Sequence, residues 1–366
     1  MENTNRDHYN NYNILITGGC GFIGSNFIHY LLQDSNFKGN IINVDKLTYA
    51  GNPENLIDIE KEHLNERYYF RKVDICNTLE LEEVLTEFKP QLVVHFAAES
   101  HVDRSIYEPA GFIQTNIIGT FNLLELSKKF NATVEKNIHF HHVSTDEVFG
   151  SLGADGFFRE TSPYDPRSPY SASKASSDHL VRSYFHTYNL PITISNCSNN
   201  YGPYQFPEKL IPLMISNMLE QKPLPIYGDG KNVRDWLFVE DHCAGIWKII
   251  LKGKIGETYN IGGDNELTNL DLINILCEKM ASIKNKEESY YKELITFVKD
   301  RPGHDRRYAI NCSKIKEQLD WKQNVTFEEG IERTILWYLE NTKWIDNIKS
   351  GEYHNWLKKN YAKRDK

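Results

Sequence analysis

Three observations predict an α/β protein: apolar β-type runs that alternate with helical patterns, a glycine-rich turn joining the first such run to the first helix, and a looser Pro- and Gly-rich stretch from about Asn199. The fold class they indicate is a Rossmann-type doubly wound parallel sheet with a smaller, mixed α/β ligand-binding domain. At 366 residues the chain exceeds one ordinary domain, so a large core and a second, appended or interleaved one are expected.

Residues 1–12 are polar, contain no apolar signal-peptide core, and read as a flexible extension ahead of the first strand, Asn13-Ile14-Leu15-Ile16-Thr17. A helix over 22–33 follows, with apolar residues three and four apart. Ile41-Ile42-Asn43-Val44 is the next strand, 79–88 a helix, and Leu92-Val93-Val94-His95-Phe96 a strand. The run 138–143, a helix over 170–188 and Ile192-Thr193-Ile194 continue the alternation. Tyr201-Gly202-Pro203 and Pro223-Leu224-Pro225-Ile226-Tyr227-Gly228 then break it, which places the smaller, ligand-closing domain there.

A hydrophobic fraction of 40% with 25% charged residues is that of a soluble globular protein, and no apolar run reaches bilayer length, so a cytoplasmic location is expected. The net charge of −8 argues against nucleic acid as the main partner, although local arginines can still hold a phosphorylated ligand. Six cysteines (Cys20, Cys76, Cys197, Cys243, Cys277, Cys312) are scattered with no Cys-x-x-Cys pair, and read as reduced thiols.

Gly18-Gly19-Cys20-Gly21-Phe22-Ile23-Gly24 lies between strand and helix, with Gly18, Gly21 and Gly24 spaced G-x-x-G-x-x-G. Such glycines allow a tight turn, close approach to a pyrophosphate and close helix–sheet packing. Asp45, ending the next strand, suits the two ribose hydroxyls of NAD and repels the 2′-phosphate of NADP. Asp74-Ile75 and Ala97-Ala98-Glu99-Ser100 fall at the same sheet edge, the first where an adenine amine is met and the second with small residues that admit a cofactor.

Ser144-Thr145-Asp146-Glu147 supplies a candidate acid and a candidate base side by side, as elimination of water across two carbons requires. The same Ser-x-x-Glu spacing also fits a helix capping box. Tyr170 and Lys174 lie four apart on one helix face, where the ammonium is expected to depress the phenol's pKa and make it a base for a hydroxyl proton. His139, His141 and His142 lack a completing ligand set, so no metal is expected. Arg234 and Arg301 suit either a diphosphate clamp or surface ion pairs.

Taken together, Ala97-Ala98-Glu99-Ser100-His101-Val102-Asp103-Arg104-Ser105, Ser144-Thr145-Asp146-Glu147-Val148, Tyr170-Ser171-Ala172-Ser173-Lys174, Asn199-Asn200-Tyr201-Gly202-Pro203, Phe206-Pro207-Glu208-Lys209-Leu210-Ile211-Pro212 and Arg301-Pro302-Gly303-His304-Asp305 carry a resemblance. The chain resembles the extended short-chain dehydrogenases/reductases over residues 13–338, most closely the nucleotide-sugar 4,6-dehydratases of the dTDP-glucose type. The resemblance implies that Tyr170, held anionic by Lys174, takes the glucose 4-hydroxyl proton while hydride passes to NAD. Glu147 then removes the carbon-5 proton, Asp146 protonates the departing 6-hydroxyl, Thr145 holds the 4-oxygen, and the hydride returns to carbon 6.

It implies cofactor contacts at Tyr170, Lys174 and Asn200, with Phe22, Ile23, Lys46, Leu47, Thr48, Phe96, Ser100 and Thr115 beside the residues already named. Substrate contacts are carried onto Ser100, Thr145, Asn199, Glu208, Lys209, Leu210, Pro225, Ile226, Tyr227, Arg234, Asn269, Arg301, His304 and Tyr308, with 225–227 against the nucleobase. The implied division is an NAD-binding domain of 1–198 plus about 232–257, and a nucleotide-sugar-binding domain of about 199–231 plus 258–366. A homodimer through a four-helix bundle, built from 115–128 and the Tyr170 helix, is also implied. Phe149 replaces a common Tyr and Cys20 a common Ala, and the tail with Trp344 and Trp356 lies outside the strong match. The rival functions are a UDP-glucose 4,6-dehydratase, a nucleotide-sugar 4-epimerase without need of Asp146-Glu147, and a non-catalytic NAD sensor, against which the intact Tyr170, Lys174 and Glu147 speak.

Overall fold

The computed structural model describes residues 6–132 and 138–349; Trp356 lies outside them. Its strands are β1 (Asn13–Thr17), β2 (Asn40–Asp45), β3 (Tyr68–Lys72), β4 (Leu92–His95), β5 (His139–Thr145), β6 (Ile192–Cys197), β7 (Asn199–Tyr201), β8 (Leu224–Tyr227), β9 (Val233–Phe238), β10 (Thr258–Ile261), β11 (Glu266–Thr268) and β12 (Ile295–Val298). Seven of them form one sheet in the order β10-β6-β5-β4-β1-β2-β3, every pairing parallel.

Ile14 and Ile16 face one apolar core while Leu15 faces another, so both faces of the sheet are covered. That is why the central strands read as unbroken apolar runs rather than alternating ones. Helices Phe22–His29 and Val239–Lys252 cover one face, and Thr78–Phe88, Thr120–Asn131 and Pro169–Tyr188 the other. Strand order reverses on either side of β1, opening a crevice beyond the carboxyl ends of β1 and β4.

The smaller domain holds the sheets β11-β9-β7 and β12-β8 and the helices Leu210–Leu219, Asn269–Lys284 and Phe327–Glu340 around its own core. Three expectations need correction here. Val233–Phe238, assigned to the NAD-binding domain, is β9 and pairs with β7 and β11 outside the large sheet. Thr258–Ile261, assigned to the smaller domain, is β10 and pairs with β6 in the large sheet, and Ile310, Ile315, Leu319 and Trp321 also pack into the large domain's core. Residues 6–12 are no loose extension: Tyr9 is buried, and Arg6 donates through Nη1 to Ile250 O (3.0 Å) and through Nη2 to Gly253 O (2.8 Å), satisfying carbonyls at the end of helix Val239–Lys252. Residues 1–5 lie outside the described part. No helix among the described residues is long and apolar enough to cross a membrane.

Candidate active site

β1 delivers the chain into Gly18, whose φ of +73° suits glycine, and a Cβ there would lie 2.7 Å from the Ala97 backbone. At Gly24 a Cβ would fall 2.2 Å from the Gly18 carbonyl, whereas at Gly21 it would meet only that carbonyl, at 3.3 Å. Two glycines therefore permit close packing and the third leaves room beside the start of helix Phe22–His29, where unpaired N–H groups favour an anion. Asp45 accepts from Cys20 N (2.9 Å) and Leu47 N (2.8 Å), tying the end of β2 to the loop. Asp74 pairs with Lys46 at 2.7 Å; against the effect of burial, that ammonium holds its carboxyl below the usual range.

One continuous cavity is lined by Gly18, Gly21, Phe22, Ile23, Gly24, Asp45, Lys46, Thr48, Asp74, Ile75, Phe96, Ala97, Ala98, Ser100 and Thr115 and runs on to Thr145, Asp146, Glu147, Tyr170, Lys174, Asn199, Asn200, Glu208 and Lys209. Of the expected cofactor residues Leu47 does not line it. The residues fit a dinucleotide: a glycine cradle at one end, a ribose carboxylate beyond it, and at the other end the buried Asp146 Oδ2 and Asn200 Oδ1 without protein partners.

At the end of β5 the Thr145 hydroxyl accepts from Glu147 N (3.3 Å), starting a short 3-10 turn over Asp146–Phe149. The capping box that the Ser144/Glu147 spacing also fitted does not form, because Ser144 Oγ donates instead to Asp178 Oδ2 at 2.9 Å. The capping box sits at Ser168 and Ser171, opening the helix that carries Tyr170 and Lys174.

Burial, reinforced by the charges of Glu147 and Asp235, pushes the Asp146 carboxyl well above its ordinary value. Burial raises Glu147 too, but Arg301, Lys209 and Arg234 pull it back toward the charged form. Both carboxyls are thus pushed toward the protonated form, Asp146 the further, because three cations oppose the effect of burial at Glu147. Tyr170 departs from expectation: burial, then Glu147, raise its phenol, and only the Thr145 hydroxyl among the nearer groups opposes. The Lys174 ammonium donates to Val143 O (2.9 Å) and lies 3.4 Å from His142 Nε2. His142 in turn stands 3.2 Å from Asp178, which also accepts from Tyr164 at 2.7 Å.

Across the cavity Lys209 donates to Ser100 O (2.9 Å), and Glu208 pairs with Arg104 (3.1 Å), whose guanidinium lies 3.6 Å from the Tyr49 ring centre. Arg104 and the lining residue Phe206 are functional-site candidates that the motifs contained but did not single out, and Tyr49 and the lining residue Gln205 fall outside the motifs altogether.

Leu210, Pro225, Ile226, Tyr227, Arg234, Asn269, Arg301, His304 and Tyr308 stand outside this lining, on the smaller domain's side. Arg234 is buried over the Tyr308 ring (4.2 Å) and donates to Asp305 O, so it is no surface ion pair. Arg301 and Tyr227 converge on Asp103, at 3.5 Å and 3.1 Å, and the Arg301 Nε is buried without a partner. Burial and the two arginines lower the His304 pKa to about 4. Ile226 is a correction: β8 turns Leu224 and Ile226 into the core, so only Pro225 and Tyr227 are turned outward. Leu210 packs on that core, and Asn269 N donates to Asn232 O.

The strand histidines are hydrogen-bonded inside the sheet, His139 and His141 to Thr193 and His141 also to Ser195. No cluster of three or more metal-ligating side chains occurs among the described residues.

The family model described as GDP-mannose 4,6 dehydratase matches residues 15–334. The dTDP-glucose 4,6-dehydratase of Salmonella typhimurium is 52% identical over 364 residues, covering 96% of this chain and 99% of that protein. A crystal structure of dTDP-glucose 4,6-dehydratase from Bacillus anthracis in complex with NAD is 50% identical, with a TM-score of 0.81 over 92% of this chain and 99% of that one. A dTDP-glucose 4,6-dehydratase from Streptomyces venezuelae with NAD and TYD bound is 43% identical, with a TM-score of 0.85 over 92% and 100%.

Proposed function

The chain belongs to the GDP-mannose 4,6 dehydratase family and, within it, to the dTDP-glucose 4,6-dehydratases, and from that premise we propose that it converts dTDP-glucose to dTDP-4-keto-6-deoxyglucose and water with bound NAD. The observation that carries this is the pair Asp146 and Glu147, both buried but the second faced by three cations, opening on the same cavity as Tyr170 and Lys174. NAD, held along residues 18–24, Asp45 and Asp74, supplies reversible oxidation at sugar carbon 4 and reduction at carbon 6.

Tyr170, in its phenolate form with the Lys174 ammonium four residues along the same helix face, takes the proton of the 4-hydroxyl, and the Thr145 hydroxyl steadies the 4-oxygen. Glu147 takes the proton from carbon 5, acidified by the neighbouring ketone, Asp146 gives its proton to the departing 6-hydroxyl, and once water has left Glu147 returns a proton to carbon 5. Arg234, Arg301 and Lys209 supply positive charge for the diphosphate on the same side. A 4-epimerase acts at one carbon and leaves a buried acid–base pair idle, which is why that reading is set aside.

A homodimer completes the proposal. Ile113, Ile118 and Phe121 expose apolar surface along 113–131, beside Tyr188 at the end of the Tyr170 helix, a face suited to a helical bundle. A cytoplasmic location suits six cysteines that are all unpaired.

The test is to incubate the purified protein with dTDP-glucose and UDP-glucose in parallel, without added cofactor, and weigh the products. Loss of water from dTDP-glucose is the expected result. An unchanged mass with a new hexose stereoisomer would make it an epimerase, and no product even with NAD added would overturn the reading.

A further inference from the structure

Helix Thr342–Lys349 lies past the end of the family match at residue 334, and nothing in the proposed chemistry calls for it. Trp344 on this helix is buried and reaches the other domain: its Nε1 donates to Asn55 Oδ1 at 2.8 Å. The Asn55 Nδ2 donates to the carbonyl of Cys20 at 3.0 Å, and Asn52 N donates to the same carbonyl at 2.9 Å. Cys20 sits inside the glycine loop, and its own N–H is the one held by Asp45. Two hydrogen bonds thus join the last described helix to the loop that cradles the pyrophosphate.

A second set of contacts reinforces the link. Tyr204 holds φ at +65°, a region an aromatic residue seldom occupies, and its ring stacks on His29 at 5.4 Å with the planes 2° apart. The other side of the cluster is Trp337, edge-on to Tyr204 at 4.8 Å and to Trp344 at 5.0 Å. His29 belongs to the helix that the glycine loop opens, and its Nε2 lies 2.9 Å from Asn55 O. Neither Trp344 nor Asn55 lines the cavity, so neither meets substrate or cofactor.

We infer that Trp344 and Asn55 are positioning residues, through which helix Thr342–Lys349 clasps the glycine loop in its dinucleotide-binding form and slows release of NAD. The inference rests on the NAD-dependent reading above. It explains why such a clasp suits this enzyme: the cofactor ends each turnover as it began, so nothing is gained by letting it leave.

The test compares wild type with Trp344→Phe, which keeps a ring and removes the N–H, with Asn55→Ala, and with the double variant. NAD release is followed after dilution into an NAD-consuming coupling enzyme, and melting temperatures are taken with and without NAD. Loss of one buried hydrogen bond predicts release roughly fivefold faster in Trp344→Phe. The double variant should release no faster than Asn55→Ala, because both substitutions cut one chain of bonds. With saturating NAD the dehydration kcat should stay at the wild-type value, while activity in its absence falls with time.

Release at the wild-type rate in both single variants, or equal losses of melting temperature with and without NAD, would overturn the clasp. A wild-type protein that binds no NAD would instead overturn the reading beneath it.

Discussion

Asp146 and Glu147 are bonded neighbours whose carboxyls are both raised by burial, Asp146 the further because three cations face Glu147. Glu147→Gln keeps the size and removes the base, so oxidation at carbon 4 should persist while elimination falls by about 10²–10⁴-fold; product mass after single turnover checks this, and normal dehydration would disprove the role. Tyr170→Phe should block the first oxidation. Asp146 also carries a stability cost. It holds its proton well above the ordinary value of 3.8, whereas the unfolded chain releases it there, so the folded state loses stability as pH rises past about 4. Asp146→Asn removes that loss, and its melting temperature should pull ahead of wild type as pH rises from 4 to 7 even though dehydration is impaired. That these residues share one cavity was legible because each lies in a contiguous motif at the same sheet edge. The raised phenol of Tyr170 was not, since a four-residue spacing cannot reveal how deeply the ring is buried or that Glu147 stands near it.

At the scale of elements, Asp178 locks the end of β5 to the Tyr170 helix by accepting from Ser144 and facing His142. Being wholly buried, it should cost about 3–5 kcal/mol when replaced by Ala, which leaves Lys174 and His142 without their anion; urea unfolding measures this, and a change below 1 kcal/mol would contradict it. The strands near the middle of the sheet were readable because burial on both faces leaves only apolar sequence. β3 was placed by the strand expected to run into Asp74, but β10 was not readable, because Asn260 sits fully buried there and donates to the carbonyls of Phe158 and Asn311. A polar residue satisfied by distant chain looks in sequence like a loop. Helix 22–33 ran as expected, but its last part, Tyr30–Asp34, widens into a π-type turn that periodicity does not signal.

Over the whole molecule, what escaped the sequence is pairing at a distance. Arg104 and Glu208 stand 104 residues apart and Asp103 and Arg301 198 apart, yet each pair fixes one wall of the site to the other. Assembly between chains belongs to this scale as well. Phe121→Glu places a charge in the exposed apolar stripe and should convert a dimer to monomer in sedimentation velocity; a dimer that survives it would rule out this bundle as the interface.

The late arrival of β10 also has a consequence for synthesis. β6 ends at Cys197 and its partner begins at Thr258, with about 60 residues between. A ribosome adding roughly 5–20 residues per second leaves the edge of β6 unpaired for about 3–12 s. During that interval the growing chain presents an open row of N–H and C=O groups, the kind of edge on which two nascent chains from one polysome pair with each other.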